Sequence, residues 1–314
     1  MYSEESSSWS RRRFISSTAF SGAALALAGH LPLQAEAPPA PRFKIIGFSK
    51  PFQTLSFDDT ADLVAEVGWA GIECPVRAKG QILPEHAEDE LPKLVEALRK
   101  RKLELSIMAT DIRSVTQPYT EKVLRTAAKL GIRHYRLGEI HYRADTSIPQ
   151  QLDEVKARLR DLAALNKELG LCAGWQNHSG SDYMGAPVWD IHGVIKDFDP
   201  RYISNFFDIA HATIEGGLSW PVQARLMQPF LGAVFVKDFI WQRGAKGWRE
   251  EWCPLGDGMV HREFFQTLLK SSFTGLINQH HEYKLGEGKA MVTALKKDLR
   301  TLQEWLEPQP VAKP

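Results

Sequence analysis

The chain has 314 residues, of which 43% are hydrophobic, and 39 basic residues nearly balance 38 acidic ones to give a formal charge of +1. A neutral balance provides no strong field for nucleic acid or an anionic membrane, so we expect a small polar or sugar-like ligand. Because α/β barrels of about 250 residues form one core, one large domain plus a tail is the simplest organisation. Cys74, Cys172 and Cys253 are too far apart for a disulfide framework or a CxxC metal site, and we interpret them as small buried hydrophobes.

Residues 1–37 are predicted to be an export signal. Arginines at positions 11–13 precede Phe14-Ile15 and a weakly apolar run, and Ala35-Glu36-Ala37 then supplies a small-x-small cleavage pattern. This order matches a twin-arginine signal, so we expect a mature protein that begins near Pro38 and is periplasmic or otherwise exported. No cysteine lies near the cleavage point, and no later run approaches the ~20 apolar residues of a membrane span. We therefore expect no membrane anchoring after signal removal.

After a Pro-rich linker at residues 38–42, strand-like and helix-like patterns alternate eight times. Ser56 is a predicted N-cap for the first helix, and Gly68 is its stop signal. Predicted strands cover residues 43–48, 71–76, 103–109, 134–142, 171–176, 202–208, 233–238 and 275–281. Predicted helices cover residues 56–67, 89–101, 120–130, 149–169, 188–198, 222–231, 261–269 and 291–306.

Eight strands that alternate with eight helices through short connections predict a single-domain α/β fold, a parallel (β/α)8 TIM barrel over residues 43–307 with a tail at 308–314. The segment between strand seven and helix seven is interpreted as a Gly/Trp-rich loop that leads through residues 254–258. A doubly wound open sheet is the main rival. No Gly-rich phosphate turn follows strand one, and no nucleotide cofactor is expected.

Polar side chains cluster where three predicted strands end. The first cluster is Trp175 to Gly180, the second runs from Asn205 to His211, and the third runs from Ile277 to Tyr283. The carboxyl ends of the strands form the catalytic face in barrels of this kind. We therefore expect these side chains to converge on one site.

These residues resemble the xylose isomerase-like barrel superfamily, whose members include sugar phosphate isomerases, sugar epimerases and apurinic endonucleases. The resemblance covers about residues 43–306 and depends on the order and strand positions of several short motifs. These are Gly71-Ile72-Glu73 on strand two, Asn177-His178 after strand five, Asp208 and His211 on strand six, Lys237-Asp238 on strand seven, Pro254-Leu255-Gly256-Asp257-Gly258 before helix seven, and the His/Glu pair on strand eight.

The resemblance implies a divalent metal site built by Glu, Asp, His and Glu on strands five to eight. Carried over by position, these ligands fall on Gln176, Asp208, Phe235 and His280. Phe235 cannot bind a metal, whereas an amide oxygen, a carboxylate and an imidazole can. The expectation is a mixed oxygen and nitrogen site for Mn, Zn, Co or Mg, formed by Gln176, Asp208 and His280.

The same substitutions bear on mechanism, because in the epimerases of this family two glutamates both bind the metal and transfer protons. Neither glutamate is present here, and imidazoles dominate instead. We predict catalytic roles for His178, His211, Lys237 and Glu282. A histidine suits proton abstraction next to a carbonyl, and Lys237 or a metal would stabilise the enolate oxygen. Isomerisation, epimerisation or β-elimination of a small carbohydrate follows as the hypothesis.

Glu73, Asn177, Trp175 and Arg136 are predicted to bind the substrate. Alternative interpretations remain for several residues: Glu73 as a structural group, Lys237-Asp238 as an internal ion pair, and the tryptophans near strand ends as lid packing rather than sugar-stacking surfaces. His281 alternates with His280 and Glu282, so it is predicted to point away from the site and to pack.

Two other functions compete with the enzyme hypothesis. A non-catalytic sugar-binding barrel would explain the missing metal ligands, although a binder gains little from clustered titratable groups. Phosphodiester cleavage of nucleic acid, as in the related endonucleases, normally needs several metal ions and fits the depleted ligand set and neutral charge least well. Oligomeric state and substrate identity stay open.

Overall fold

The computed structural model describes residues 42–308, so the predicted export signal and the end of the predicted tail lie outside the described residues. Ten strands occur within this range. They are β1 (Lys44–Phe48), β2 (Gly71–Val76), β3 (Glu104–Thr110), β4 (His134–Arg136), β5 (Cys172–Gln176), β6 (Ile203–Asp208), β7 (Leu231–Val236), β8 (Asp238–Gly244), β9 (Gly247–Cys253) and β10 (Leu276–Gln279).

Eight of these strands close into a parallel barrel in the order β1-β10-β7-β6-β5-β4-β3-β2, whereas β8 and β9 form a separate antiparallel pair. The α-helices of the described range connect and surround the barrel strands. They are α1 (Phe57–Val67), α2 (Ala87–Lys100), α3 (Thr120–Leu130), α4 (Ile148–Leu169), α5 (Val188–Ile195), α6 (Ile209–Gly216), α7 (Trp220–Met227), α8 (Arg262–Lys270) and α9 (Lys289–Trp305). The predicted single-domain (β/α)8 barrel is confirmed.

Helix α1 shows how local sequence sets an element's ends. The Ser56 hydroxyl accepts a hydrogen bond from the Asp59 backbone N–H, which satisfies one of the free donors at the helix start. Gly68 ends the helix with φ 99°, a left-handed conformation that glycine adopts without a Cβ clash. Both ends agree with the sequence prediction.

Two apolar layers hold the barrel together. A large cluster fills the space between the sheet and the helices, while a smaller one, formed by Ile46, Ile107, Phe206, Ala233 and Phe235, fills the barrel interior. Gly174 lies against the Phe206 ring so closely that an added Cβ would come within 2.2 Å of it. The packed interior forms an apolar floor below the carboxyl ends of the strands.

Several boundaries differ from the sequence prediction. Strand four is limited to β4, because the chain leaves the sheet after Arg136. The helix predicted at 222–231 corresponds to α7, which spans Trp220–Met227. The sequence prediction missed α6, which follows β6 directly. The predicted Gly/Trp-rich loop contains the β8–β9 hairpin. Of the cysteines, Cys74 and Cys172 are buried as predicted, but Cys253 is half-buried.

Among residues 42–308, no helix is both long and apolar enough to span a membrane.

Candidate active site

Charged and polar side chains gather inside the barrel at the carboxyl ends of its strands. They are Glu73 from β2, Arg136 from β4, Gln176 from β5, Asp208 from β6, Lys237 after β7, and Asn278 and His280 from β10 and the residue after it. All of these side chains are buried. Because buried polar groups cost free energy unless they are paired, their hydrogen bonds define what each can do.

Glu73 is the centre of one group of contacts, which we call the Glu73 network (Glu73, Arg136, Asn278 and His280). Its Oε1 accepts from Arg136 Nε at 2.8 Å, and its Oε2 accepts from Asn278 Nδ2 at 2.6 Å and lies 2.7 Å from His280 Nε2. Burial raises the pKa of this carboxyl, but Arg136, His280 and Asn278 more than offset that effect and lower the pKa to about 2. Glu73 is therefore an anion at neutral pH.

The Glu73 carboxylate also fixes the tautomer of His280. A carboxylate only accepts hydrogen bonds, so the short contact to Oε2 requires the proton to be on His280 Nε2. The ring stacks on Phe48 at 4.5 Å and contacts Phe235 at 4.7 Å between centroids. Burial lowers the pKa of His280 despite the opposing effect of Glu73, and the ring is neutral at pH 7.

Gln176 connects the Glu73 network to Asp208. Its Oε1 accepts from Arg136 Nη1 at 2.7 Å, and its Nε2 donates to Asp208 Oδ2 at 2.8 Å. The other oxygen, Asp208 Oδ1, caps α6 by accepting from the backbone N–H groups of Ala210 and His211. Asp208 therefore holds the start of α6, and this places His211 beside the strand ends.

Lys237 follows β7 and lies between two carboxylates. Its Nζ is 2.6 Å from Glu282 Oε1 and 3.7 Å from Asp208 Oδ2, and it lies 4.4 Å above the centre of the Trp252 ring. Burial raises the pKa of Glu282, but Lys237 and His280 outweigh it and lower the pKa to about 2. The alternative of a Lys237–Asp238 pair is wrong, because Asp238 instead accepts four backbone N–H groups and anchors the loop at residues 254–258.

His178 and His211 form a second group, the imidazole pair, with ring centroids 4.0 Å apart. Ser179 contacts both rings. Its carbonyl oxygen lies 3.0 Å from His178 Nδ1, and its backbone N–H donates to His211 Nδ1 at 3.1 Å. Since a carbonyl only accepts and an amide N–H only donates, the two rings have opposite tautomers. His178 carries its proton on Nδ1 and His211 on Nε2.

Both members of the imidazole pair are neutral at pH 7. Burial lowers the pKa of His178, and the positive charge of Lys237 lowers it further. Burial and Lys237 hold the pKa of His211 well below its ordinary value. His178 Nε2 is thus a bare acceptor nitrogen, and His211 Nε2–H is a donor.

The Nε2 of His211 is buried without a hydrogen-bond partner among residues 42–308. Asp208 Oδ2, at 3.7 Å, is too distant for a hydrogen bond, and Lys237 Nζ lies at the same distance from that oxygen. An unsatisfied buried donor needs an explanation. A ligand oxygen bound between His211 and Lys237 would satisfy it.

Two predicted substrate-binding residues have other roles. The Trp175 side chain is 3% exposed and packs in the large core outside the barrel, so its prediction as a contact residue was wrong. Asn177 exchanges two hydrogen bonds with the Asp208 backbone, at 2.8 and 2.9 Å, and this clamps the ends of β5 and β6 together. His281 is buried beside Asp298 and Trp69, in agreement with its predicted packing role.

The three predicted metal ligands do not fit a divalent ion. Gln176 Oε1 is hydrogen-bonded to the Arg136 guanidinium, and His280 Nε2 carries the proton that it shares with Glu73. Asp208 uses one oxygen for the α6 backbone and the other for Gln176. No group of three His, Cys, Asp or Glu side chains in the described range is placed to hold a metal. Two fixed cations lie beside the carboxylates instead: Arg136 pairs with Glu73, and Lys237 lies close to Asp208 and Glu282.

Sequence reasoning missed three contributors to the site. Ser179 sets both tautomers, and Tyr183 stacks on His178 at 4.4 Å while its hydroxyl donates to Glu139. Asn278 supplies a hydrogen bond to Glu73. Ser179 and Asn278 lie inside the strand-end clusters, so their positions were visible in the sequence, but their roles depend on partners far away in the chain.

The chain belongs to the xylose isomerase-like TIM barrel family, whose pattern matches residues 61–308. No curated protein sequence matches it.

Solved structures with the same fold include several enzymes. One is 3-keto-D-glucoside 4-epimerase YcjR from E. coli, at 16% identity and a TM-score of 0.65, with 83% of this chain and 99% of that chain covered. A D-psicose 3-epimerase with D-fructose matches at 15% identity and a TM-score of 0.61, with 84% of this chain and 99% of that chain covered. A Mycobacterium smegmatis barrel in complex with magnesium matches at 16% identity and a TM-score of 0.62, with 84% of this chain and 98% of that chain covered. At these identities the similarity shows the fold alone.

Proposed function

We propose that this protein is a carbohydrate isomerase, epimerase or lyase that removes a proton from a carbon next to a carbonyl group. The observation that carries the proposal is the pair of opposite tautomers held by Ser179. A bare nitrogen on His178 can accept a carbon-bound proton, while the N–H of His211 can donate to the adjacent carbonyl oxygen. The H–C–C=O unit of a keto-sugar presents this proton and this oxygen three bonds apart.

Charge stabilisation in the proposed reaction comes from protein groups. As the proton leaves, negative charge develops on the carbonyl oxygen, and donors already aimed at that oxygen lower the barrier most. His211 Nε2–H and Lys237 Nζ each lie 3.7 Å from Asp208 Oδ2, so both are close to one point in the barrel mouth. A neutral imidazole can polarise a carbonyl in this way. The resulting enolate would regain a proton or expel a leaving group.

Similarity to known enzymes supports the substrate class. The name 3-keto-D-glucoside 4-epimerase describes inversion at the carbon beside a keto group. That reaction needs the same proton removal that the imidazole pair can perform. The ligand set of this chain differs from the one that the family resemblance implies, and we therefore propose that its own mechanism uses Lys237 in the role of the metal.

Deuterium exchange tests the proposal most directly. Aldoses, ketoses and oxidised glycosides would be incubated with the protein in D2O, with and without EDTA, and followed by proton NMR. We expect loss of a carbon-bound proton signal from at least one keto-sugar, at the same rate in EDTA. The product would distinguish an epimerase from a lyase. Exchange that stops in EDTA and returns with one metal ion would contradict the metal-independent mechanism.

A non-catalytic sugar-binding barrel is the alternative, and the extensive internal pairing of Glu73, Arg136 and Gln176 is the observation that favours it. It predicts saturable sugar binding without any exchange in a folded protein. The unsatisfied His211 donor favours the enzyme, because a keto-sugar oxygen is the ligand group that it lacks.

We also propose that the protein is exported by the twin-arginine route, on the evidence of residues 11–15 and 35–37. Replacing Arg11 and Arg12 together by lysine is expected to leave the protein in the cytoplasm with its signal attached. Cell fractionation and the mass of the purified protein would measure this. A variant that still reaches the periplasm at the normal level would overturn the proposal.

A further inference from the structure

The β8–β9 hairpin begins directly after Lys237, at the carboxyl end of β7, and has an aromatic face. Side chains alternate across a strand, and the register pairs Phe239 with Trp252, Trp241 with Glu250, and Arg243 with Trp248. All these residues share one face, which we call the aromatic face. The other face carries Asp238, Ile240, Gln242, Arg249, Glu251 and Cys253.

The aromatic face is continuous with the candidate active site. Trp252 contacts the His211 ring edge-on at 5.5 Å and lies over Lys237. Phe239 follows at 6.3 Å from Trp252, and Trp241 follows at 5.6 Å from Phe239. A row of rings therefore runs outward from the catalytic groups along the hairpin.

The outer end of this row is open to solvent. Phe239 is fully buried at the base of the hairpin, whereas Trp241 is 41% and Trp248 is 68% exposed. Trp248 lies diagonally across the hairpin from Trp241, within reach of it in a twisted ribbon. Arg243 and Glu250 share the face with these rings, so flat apolar surfaces alternate with hydrogen-bonding groups.

We propose that the aromatic face is a subsite for a second sugar ring, so that the substrate is a glycoside or oligosaccharide rather than a free monosaccharide. The inference rests on the proposed function, which identifies the ligand as a carbohydrate. A pyranose ring presents C–H groups on its faces and hydroxyls around its edge. The tryptophan rings could stack on the C–H faces, and Arg243 and Glu250 could form hydrogen bonds with the hydroxyls.

Continuity with Trp252 favours a sugar over a second protein copy as the occupant. A ring bound at His211 and Lys237 would leave its glycosidic substituent beside Trp252, and the next exposed aromatic surface in the row belongs to Trp241, which packs on the buried Phe239. A contact between protein copies would not require this row to start at the catalytic groups.

Binding measurements without turnover test the subsite. Titration calorimetry of the full chain would compare D-glucose with cellobiose, maltose and sucrose. We expect at least one disaccharide to bind about tenfold more tightly than glucose. Trp248→Ala is expected to weaken that disaccharide roughly five- to tenfold and to leave glucose unchanged, and Trp248→Phe should restore most of the loss. Ile240→Ala, which removes a 38% exposed side chain from the opposite face, is the matched control and should change neither affinity.

Equal affinities for all four sugars, or a disaccharide preference that survives both Trp241→Ala and Trp248→Ala, would overturn the subsite. Sedimentation that reveals a dimer dissociated by Trp248→Ala would overturn it as well, because the face would then be a contact between copies. A Trp248-dependent disaccharide preference without deuterium exchange on any keto-sugar would leave the subsite standing while the proposed enzymatic function fails. Deuterium exchange without a Trp248-dependent disaccharide preference would leave the proposed enzymatic function standing while the subsite fails.

Discussion

The two groups of histidines at the barrel mouth are held in opposite ways. In the Glu73 network, His280 is fixed by a carboxylate that is itself paired with Arg136. In the imidazole pair, His178 and His211 are fixed by uncharged backbone groups of Ser179, and the charge that most affects the pKa of His178 is the Lys237 cation. Glu73 opposes the effect of burial on the pKa of His280, whereas Lys237 adds to the effect of burial on the pKa of His178.

This difference assigns distinct tasks to the two groups. His280 has its Nε2–H committed to Glu73, and the buried Arg136–Glu73 ion pair and the hydrogen bonds around it tie β2, β4 and β10 together. His178 presents a bare Nε2 in a half-buried ring, and His211 presents an unsatisfied N–H. The Glu73 network is therefore the rigid support, and the imidazole pair is the part that can exchange protons with a ligand.

Replacing His178 is expected to have the largest effect. His178→Ala removes the proposed general base and should slow deuterium exchange by about 10²- to 10⁴-fold. His141→Ala is the matched control, because His141 contacts the same Tyr183 ring at 4.3 Å but has no place in the proposed reaction. NMR exchange rates and melting temperatures of both variants would measure the difference. Equal loss in the two variants would show that packing against Tyr183, rather than proton transfer, is what His178 provides.

The distinction between the two groups could not be obtained from the sequence. Strand-end clustering correctly located His178, Asp208, Lys237 and His280 at one mouth, because the carboxyl ends of parallel strands meet there. The ligand assignment failed because the partner of Gln176 Oε1 is Arg136, forty residues away, and spacing carries no information about such a contact.

Other errors did have a signal in the sequence. Gln176 was predicted to face the site, and side chains alternate along a strand, so Trp175 had to face the helices. The β8–β9 hairpin also had a signal, since two aromatic-containing runs on either side of Gly244 and Gly247 are typical of paired strands joined by a tight turn. The Gly and Trp content of the segment favoured the loop interpretation instead.

Removing Glu73 should break the support rather than the chemistry. Glu73→Gln leaves Arg136 buried without its counter-ion, and we expect a loss of about 3–5 kcal/mol in the free energy of unfolding at pH 7. The Glu73 carboxyl has a pKa of about 2 against an ordinary 4.5. Its ionised form therefore contributes stability above about pH 4.5, and this contribution is lost as the pH falls toward about 2.

Urea unfolding between pH 7 and pH 3 would measure both effects, and the variant should show the weaker decrease in stability below pH 4.5. Glu104→Gln is the control, because it removes only an exposed pair with Lys44 and should cost less than about 1 kcal/mol. Equal losses for the two variants would mean that the Glu73 network does not support the barrel.

Replacing Lys237 should affect the imidazole pair in two ways. Lys237→Met removes a donor to the proposed enolate oxygen and should lower kcat by about 10²-fold. Burial is the main cause of the lowered pKa of His178, and the Lys237 cation is the second. Removing that cation should therefore raise the pKa of His178. Since the base must be unprotonated, the acid limb of the pH–rate profile should move to higher pH. Steady-state assays across about pH 4 to 9 would measure the position of the acid limb. An acid limb that does not move would show that a group other than His178 titrates there.

The smallest effect is expected from the hydroxyl of Ser179, which lies 2.8 Å from His211 Nδ1. Ser179→Ala removes this contact but keeps the backbone carbonyl and N–H that fix the two tautomers. Loss of one hydrogen bond should therefore reduce kcat only about two- to tenfold, with the acid limb unchanged. Proton–nitrogen NMR of histidine-labelled protein would report the tautomers directly, and both should persist in the variant. A change of tautomer at either ring would show that the side chain, and not the backbone, sets the difference between base and donor.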